Sequence, residues 1–199
     1  MILELRKPAS VSEEQLKAIY IDFLDWYDIL ATPSNIILGY VKKKYPKEKF
    51  KKIICVGDGE HCHLGIKLAN LGYTVVVVDP VSKKEFSMSR NDKGGMLKIV
   101  NGKFFETSTP MIDWADLVVG AKVPECAEAL TQISKPAIFN ISNNVEIYNM
   151  RFKGTKILSS EQLEKEIEKT PNSKKIMHTD NFGIKSYFYV CDGRELEER

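Results

Sequence analysis

Two short apolar runs, separated by a glycine turn and a helical pattern, constrain this chain more than any other feature. The first run, 52–56, stops at the turn 57–59, and the second, 74–78, stops at Asp79. Between them, apolar residues recur at helical spacing as far as Gly72. A strand, a helix and a strand in this order predict a right-handed βαβ crossover with two parallel, buried strands.

The residues that follow the two strands have the composition of a nucleotide-type site. Gly57 and Gly59 flank Asp58 and lack a Cβ, so the backbone can turn sharply and approach a ligand closely. Asp79, followed by Pro80, comes about 20 residues later, the spacing at which an acid accepts hydrogen bonds from a ribose. These five residues are predicted to bind a cofactor. The same pattern also fits a tight strand–helix turn and a turn acid.

A third apolar strand, 117–121, brings Gly120 and Ala121 to the same edge of the sheet. A substrate would meet the cofactor there, so these two residues complete the predicted cofactor site. Lys122 or Glu125, just beyond the strand, is an anion contact or a base in one interpretation and a solvated residue at a helix start in another. No residue is assigned as catalytic.

The whole pattern predicts an α/β three-layer sandwich with a Rossmann-like, mostly parallel sheet. A fourth strand is expected at 137–141, and an antiparallel C-terminal strand pair is expected near 176–177 and 187–190. Asn101-Gly102, between two strand-like runs, predicts a β-hairpin with a type I′ turn.

Two helices, 13–31 and 32–45, precede the sheet and form a predicted helical hairpin. The resulting organisation has an N-terminal helical extension over 1–50 and a nucleotide-binding domain over 51–199. The aromatic side chains of the hairpin are expected to pack in a core. In the alternative interpretation, the hairpin covers the ligand site or forms a homodimer surface.

Composition limits the classes of partner. With a net charge of +2, the 199 residues give no general reason to expect binding to nucleic acid or to a membrane surface. The lysine-rich segment 42–52 is interpreted as a solvated helix end. No apolar run approaches the roughly 20 residues of a membrane-spanning helix, and the first residues lack the pattern of a secretory signal. Four scattered cysteines are expected to be reduced thiols, so a cytoplasmic protein with a small-molecule ligand is predicted.

The sequence His61-Cys62-His63, close to Cys55, raises the question of a metal site. On a helix, residues two apart point in different directions, and no second pair of ligands has the spacing typical of zinc. No metal site is therefore predicted.

The segment 53–141 resembles the core of class I S-adenosylmethionine-dependent methyltransferases and is nearest to a small Rossmann-like branch of that superfamily. The motifs that carry the resemblance are 56–59, 77–79 and 115–120. The resemblance implies S-adenosylmethionine as the cofactor, with Gly57 and Gly59 at its methionine portion and Asp79 at its ribose. It also implies a methyltransferase-like protein, whose substrate the sequence does not identify.

The chain departs from that family at three places. Cys55 stands where the family usually has an acid, two residues before the first glycine, and His61 stands where the family has its third glycine. The family's loop after the fourth strand often carries Asn or Asp, two prolines and an aromatic residue, whereas 122–125 keeps one proline and no amide or aromatic residue. Two other interpretations stay open: an NAD(P)-binding Rossmann module, in which Asp79 binds a ribose equally well, and a non-catalytic Rossmann-like protein. An antiparallel last strand inserted beside the sheet edge favours methyltransferase ancestry, whereas two symmetric halves favour the dinucleotide fold.

Overall fold

The computed structural model describes residues 32–104, 109–121, 123, 126, 130, 133–140, 162, 165, 168–169, 173–179 and 185–191. The chain divides into two compact units, Met1–Thr32 and Pro33–Arg199. The predicted helix at 13–31 lies outside the described residues. The helical extension over 1–50 and its role in a homodimer therefore stay predictions.

The described helices and strands follow the order expected for an α/β protein. The helices are α1 (Thr32–Lys44), α2 (His63–Asn70) and α3 (Thr109–Trp114), with a short 3₁₀ helix at Lys84–Phe86. The strands are β1 (Lys52–Val56), β2 (Thr74–Val78), β3 (Met96–Val100), β4 (Leu117–Gly120), β5 (Ala137–Asn140), β6 (Ser173–Thr179) and β7 (Lys185–Cys191). None of these helices is long and apolar enough to cross a bilayer.

The strands form one seven-stranded sheet with the order β3-β2-β1-β4-β5-β7-β6. Neighbours from β3 to β5 pair in parallel, and β7 pairs antiparallel with both β5 and β6. Among the described strands, only β7 therefore runs against the others, and it is inserted between β5 and the edge strand β6. The predicted Rossmann-like, mostly parallel sheet with an antiparallel C-terminal pair is confirmed.

Both faces of the sheet are covered, which makes three layers. In β1, Ile53 and Cys55 belong to a core cluster with α1 and α2, whereas Ile54 and Val56 belong to a second cluster with Phe104. Alternate strand residues point to opposite faces, so a strand buried on both sides needs a continuous apolar run. This requirement explains why the first two strands could be placed from the sequence.

Helix α1 is part of this packing. Ile37 and Val41 are fully buried in the cluster that contains α2, and Tyr45 follows them at the end of the helix. At Tyr45 the main-chain carbonyl accepts a hydrogen bond from the Tyr73 hydroxyl at 2.9 Å. The predicted second helix is thus confirmed, and one face of it covers the sheet.

The predicted β-hairpin at Asn101-Gly102 is wrong. A type I′ turn needs positive φ at both central residues, and neither of these residues has it. Lys103 is not in a strand, and Phe104 is helical and only 2% exposed. Strand β3 pairs instead with β2, and its outer partner is a single antiparallel bridge from Met88 to Leu97. Burial of Phe104 in the core outweighs the local turn signal.

Candidate cofactor site at the carboxyl edge of the sheet

The predicted site residues follow the carboxyl ends of neighbouring parallel strands. The hydrogen-bond ladder continues past the strands, with the N–H of Gly57 donating to Val78 O at 3.1 Å and that of Asp79 donating to Val100 O at 3.2 Å. The turn after β1 and the acid after β2 are therefore held side by side, as the βαβ unit predicts.

Asp79 fixes the glycine turn. Its Oδ2 accepts a hydrogen bond from the N–H of Gly59 at 2.9 Å, and its Oδ1 accepts one from the N–H of Val81 at 2.7 Å. The residue is 6% exposed, so its carboxylate faces the turn and not bulk water. Pro80 and Val81 beyond it are exposed, Val81 at 63%.

Gly57 and Gly59 both require glycine-like backbone geometry. Their φ angles are 63° and 71°, in the left-handed region that side chains disfavour. A Cβ built at Gly59 would meet no atom within 4 Å, so open space lies beside the turn at this residue.

Asp58 lies between the two glycines but points inward. Its Oδ1 accepts a hydrogen bond from the N–H of Leu64 at 3.0 Å, and its Oδ2 accepts one from the N–H of Gly65 at 2.6 Å. The first-turn amides of α2, which in many nucleotide sites bind a ligand's anionic group, are here occupied by a side chain of the chain itself. The prediction that Asp58 contacts a cofactor stays untested.

Burial controls the protonation of this cluster. Burial raises the pKa of Asp58 to about 7. The hydrogen bonds from the N–H groups of Gly65 and Leu64 stabilise the charged form and so lower this pKa, but burial outweighs them. Burial, and then the negative charge of Asp58, hold the pKa of the Cys55 thiol well above its ordinary value. Cys55 is therefore a neutral thiol at neutral pH.

A strap formed by residues 80–88 is bonded to the glycine turn. Ser82 is 3% exposed, and its hydroxyl donates to Gly59 O at 2.6 Å. The side-chain amide of Asn101, after β3, donates to Ser82 O. Lys83 adds a main-chain hydrogen bond to Glu60 O at 3.1 Å and an exposed ion pair with the Glu60 carboxylate at 2.6 Å.

The sequence did not predict that Ser82 and Asn101 lie at this edge of the sheet. Ser82 stands in a polar stretch that is indistinguishable from a solvated loop. Asn101 carried a usable signal, because it directly follows the third parallel strand, but the Asn-Gly pair favoured a hairpin instead.

Cys62 delays the start of α2. It adopts φ 53°, the left-handed conformation, and is fully buried. The helix begins at His63, directly after this residue. The third glycine of the dinucleotide pattern, which serves close helix–strand packing, would fall at this position, so the left-handed backbone of Cys62 departs from that pattern.

His61 presents an enclosed nitrogen to the same region. Its Nδ1 is buried without a hydrogen-bond partner among the residues that the structure describes. The ring lies edge-on to Phe86 of the strap, with centroids 5.8 Å apart, and 5.7 Å from the ring of His63. Within the described part of the chain, no group of three or more His, Cys, Asp or Glu residues is arranged to hold a metal ion.

Gly120 lies beside β1, where it pairs with Val56, and it is buried. A Cβ at Gly120 would come within 2.7 Å of the Val123 side chain, so glycine is required here for packing. The N–H of Val123 donates to Asn140 O at 2.9 Å, which ties the end of β4 to β5. Ala121 is half-buried, and Lys122, Pro124 and Glu125 lie outside the described residues.

Three solved structures illustrate what the fold is similar to. An O-methyltransferase from Bacillus cereus in complex with S-adenosylhomocysteine has 13% identity and a TM-score of 0.52, with 94% of this chain and 92% of that chain covered. Magnesium protoporphyrin IX methyltransferase from Synechocystis PCC 6803, with S-adenosylhomocysteine bound, has 11% identity and a TM-score of 0.52, covering 82% and 83%. A Nostoc punctiforme PCC 73102 protein assigned as an O-methyltransferase has 13% identity and a TM-score of 0.52, covering 81% of this chain and 56% of that one.

Sequence comparison adds nothing to this likeness. No protein-family profile matches the chain. No curated protein matches it in sequence. At 11–13% identity, the structural matches establish the fold, and the resemblance seen in the sequence is confirmed at that level. The chain therefore has the Rossmann-like fold of class I S-adenosylmethionine-dependent methyltransferases.

Proposed function

We propose that this protein binds S-adenosylmethionine at the carboxyl edge of its sheet and transfers the methyl group to a substrate. The observation that carries the proposal is the pairing of Asp79 with Gly59: a nearly buried carboxylate held against a glycine turn, with open space beside the glycine. The reversed strand β7, inserted beside the edge strand β6, supports methyltransferase ancestry over a dinucleotide fold with two symmetric halves.

The hydrogen-bonding capacity of Asp79 suits a ribose. An ionised carboxylate has about four acceptor sites, two on each oxygen. The N–H groups of Gly59 and Val81 use one site on each oxygen. One site on each oxygen is left, which matches the two hydroxyl groups of an adenosine ribose.

The surroundings of Asp79 suit the rest of the cofactor. Gly59 leaves room for a ligand to approach the backbone. Val81 offers exposed apolar surface directly beyond the carboxylate, which suits one face of an adenine ring. The residues present therefore fit S-adenosylmethionine, with Gly57 and Gly59 at its amino-acid portion and Asp79 at its ribose.

The chemistry asks little of the protein. When bound, the sulfonium of S-adenosylmethionine supplies an activated methyl group. What the chain contributes is orientation of the two reactants, which by itself lowers the barrier substantially. The bonds from Ser82 and Asp79 to the glycine turn serve this purpose, because they fix the backbone before any ligand arrives.

Titration calorimetry with S-adenosylhomocysteine and with NADH tests the proposal. We expect S-adenosylhomocysteine to bind and NADH not to bind. Asp79→Ala should weaken the affinity by about 10- to 100-fold, the range expected for hydrogen bonds to a charged group. Asp116→Ala is the matched control, because Asp116 also accepts a backbone hydrogen bond, from the N–H of Lys52 at 2.9 Å, but lies at the opposite edge.

Three outcomes would contradict the proposal. Binding of NADH alone would assign the site to a dinucleotide. Binding of neither ligand would leave a non-catalytic Rossmann-like protein. Equal loss in Asp79→Ala and Asp116→Ala would show that the effect comes from the fold and not from a contact at the carboxyl edge.

A further inference from the structure

A cavity lies at the amino-terminal edge of the sheet, opposite the candidate cofactor site. It has a volume of about 290 Å³ and is lined by Lys47, Glu48, Lys51, Gly72, Lys93 and Gly94. These residues precede β1, β2 and β3, whereas the cofactor site follows the same strands. Five strand residues at roughly 3.3 Å each separate the two edges by roughly 16 Å.

The wall that carries Lys47 and Lys51 is held in place by aromatic packing. Tyr45 is 7% exposed, and its ring meets Phe50 edge-on at 4.9 Å. Between them, Pro46 O accepts the N–H groups of Lys49 and Phe50, both at 3.0 Å. The lysines therefore project from a fixed turn.

The wall that carries Lys93 is equally fixed. Asn91 accepts the N–H groups of Lys93 and Gly95 on its Oδ1, at 3.0 and 2.8 Å, and donates from its Nδ2 to Ala69 O at 2.9 Å. Gly95 packs directly on the Ala69 carbonyl, so closely that no Cβ would fit. At the base of the cavity, a Cβ at Gly72 would meet Lys93 O at 2.7 Å. The cavity is thus formed before any ligand binds.

Charge is concentrated at this edge. Residues 42–52 contain seven lysines and one glutamate and so carry +6. Because the whole chain carries +2, the remaining residues together carry −4. The near-balanced total conceals this separation, which is the pattern of a protein that binds a polyanion through one surface.

The cavity lysines are not needed to offset the partial negative charge of the last carbonyl groups of α2. Its last carbonyls already accept main-chain hydrogen bonds: Lys67 O and Leu68 O accept from Leu71, and Ala69 O accepts from Gly72. Lys47, Lys51 and Lys93 are exposed, and they are free to hold a ligand. Lysine ammonium groups act on phosphates as point charges and impose no directional fit.

We propose that the cavity and the adjoining segment 42–52 bind the phosphate backbone of a nucleic acid. Three ammonium groups around one cavity suit a phosphate group. The further lysines of segment 42–52 favour a chain of phosphates rather than a single small anion. Recognition of this kind reads the backbone and not the base sequence. The site does not depend on the proposed function, because it shares no residue with the carboxyl edge.

Fluorescence anisotropy with a labelled 20-nucleotide RNA, and with DNA of the same sequence, tests the proposal at several salt concentrations. The full chain should bind one or both, and the tighter of the two identifies the source of the phosphates. The triple variant Lys47→Gln, Lys51→Gln, Lys93→Gln should bind at least 10-fold more weakly. The slope of log affinity against log salt should shrink by about 2 to 3, as expected for three lost phosphate contacts.

The matched control is Lys84→Gln, Lys98→Gln, Lys165→Gln, which removes the same charge from exposed lysines elsewhere and should stay within about twofold of the parent protein. Glu48→Gln removes the one acid among the described residues that line the cavity and should tighten binding by about two- to threefold, a gain that misfolding cannot produce.

Three results would overturn the proposal: no binding to either strand at 50 mM salt, equal weakening in the two triple variants, or binding only to vesicles that contain anionic lipid. Calorimetry with S-adenosylhomocysteine should give the same affinity for the cavity variant and the parent protein. Failure of nucleic-acid binding would therefore leave the proposed function unaffected.

Discussion

The two edges of one sheet use their side chains in opposite ways. At the carboxyl edge, the carboxylates of Asp58 and Asp79 turn inward and hold the backbone, and open space lies beside Gly59. At the amino edge, lysines point outward, while the backbone packs so tightly at Gly95 that no side chain would fit. The apolar parallel sheet places one candidate site at each edge. The turns decide what each edge offers a ligand: open backbone at the carboxyl edge and lysine charge at the amino edge.

Gly95→Ala should produce the largest loss of stability. A Cβ there would overlap the Ala69 carbonyl, a backbone atom that cannot move aside, so we expect about 3 kcal/mol lower free energy of unfolding. Gly59→Ala has open space and should cost only about 1 kcal/mol for its left-handed backbone. Chemical denaturation measures both. Equal losses would contradict the contrast between a crowded and an open edge.

Asp79→Ala should come next. Two backbone N–H groups lose their acceptor in a nearly buried place, so the free energy of unfolding should fall by about 2 kcal/mol. Asp116→Ala removes the acceptor of one N–H group, that of the exposed Lys52, and should cost less. The same denaturation experiment compares them, and a larger loss in Asp116→Ala would reverse the assigned roles of the two edges.

Asp58 makes stability depend on pH. Its pKa is about 7 in the folded chain and 3.8 when unperturbed, so between these values the folded state binds one proton more than the unfolded state. The free energy of unfolding should therefore fall by about 1.4 kcal/mol per pH unit as the pH rises through this window, and level off above pH 7.

Asp58→Asn should remove this dependence, while Asp116→Asn, at the other edge, should keep it. Denaturation midpoints measured between pH 4.5 and 8 give the slopes. Two results would show that the enclosed carboxylate is not the titrating group. One is an unchanged slope in Asp58→Asn, and the other is a parent protein whose free energy of unfolding rises with pH between 4.5 and 7.

The strap gives the smallest effects. Ser82→Ala removes a buried hydrogen bond to Gly59 O and should lower the free energy of unfolding by about 1 kcal/mol. Lys83→Ala breaks an ion pair whose side chains are about half exposed, at 47% and 50%, and should leave the denaturation midpoint unchanged. A shift in Lys83→Ala as large as that in Ser82→Ala would mean that the ion pair, and not the buried hydroxyl, holds the strap to the turn.

Much of the fold could be predicted because burial on two faces leaves a plain trace. β1 and β2 fall where continuous apolar runs predicted strands. Gly72 follows the end of α2 with φ 101°, and a glycine with positive φ is the usual residue just after a helix. These features depend on local patterns that tertiary contacts reinforce.

The geometry of the candidate site was only partly predictable. The sequence placed Asp79 and Gly59 at one edge of the sheet, and the structure joins them by a hydrogen bond, but their contact with a cofactor stays a prediction. The sequence could not tell that Asp58, between two glycines, turns into α2, because an acid in a turn serves a ligand or a helix end equally well. The ligand contact predicted for Gly120 stays a prediction, and its close packing against Val123 depends on a contact that no spacing rule encodes. Direction of a side chain, unlike its position on an edge, is set by long-range packing.

The central claim is that Asp79 holds a ribose. Calorimetry should compare S-adenosylhomocysteine with its 2′,3′-dideoxy analogue, on the parent protein and on Asp79→Ala. If the carboxylate binds both hydroxyls, the analogue should bind the parent protein at least 10-fold more weakly, and the two ligands should bind Asp79→Ala about equally. The same ratio of affinities in both proteins would contradict the account.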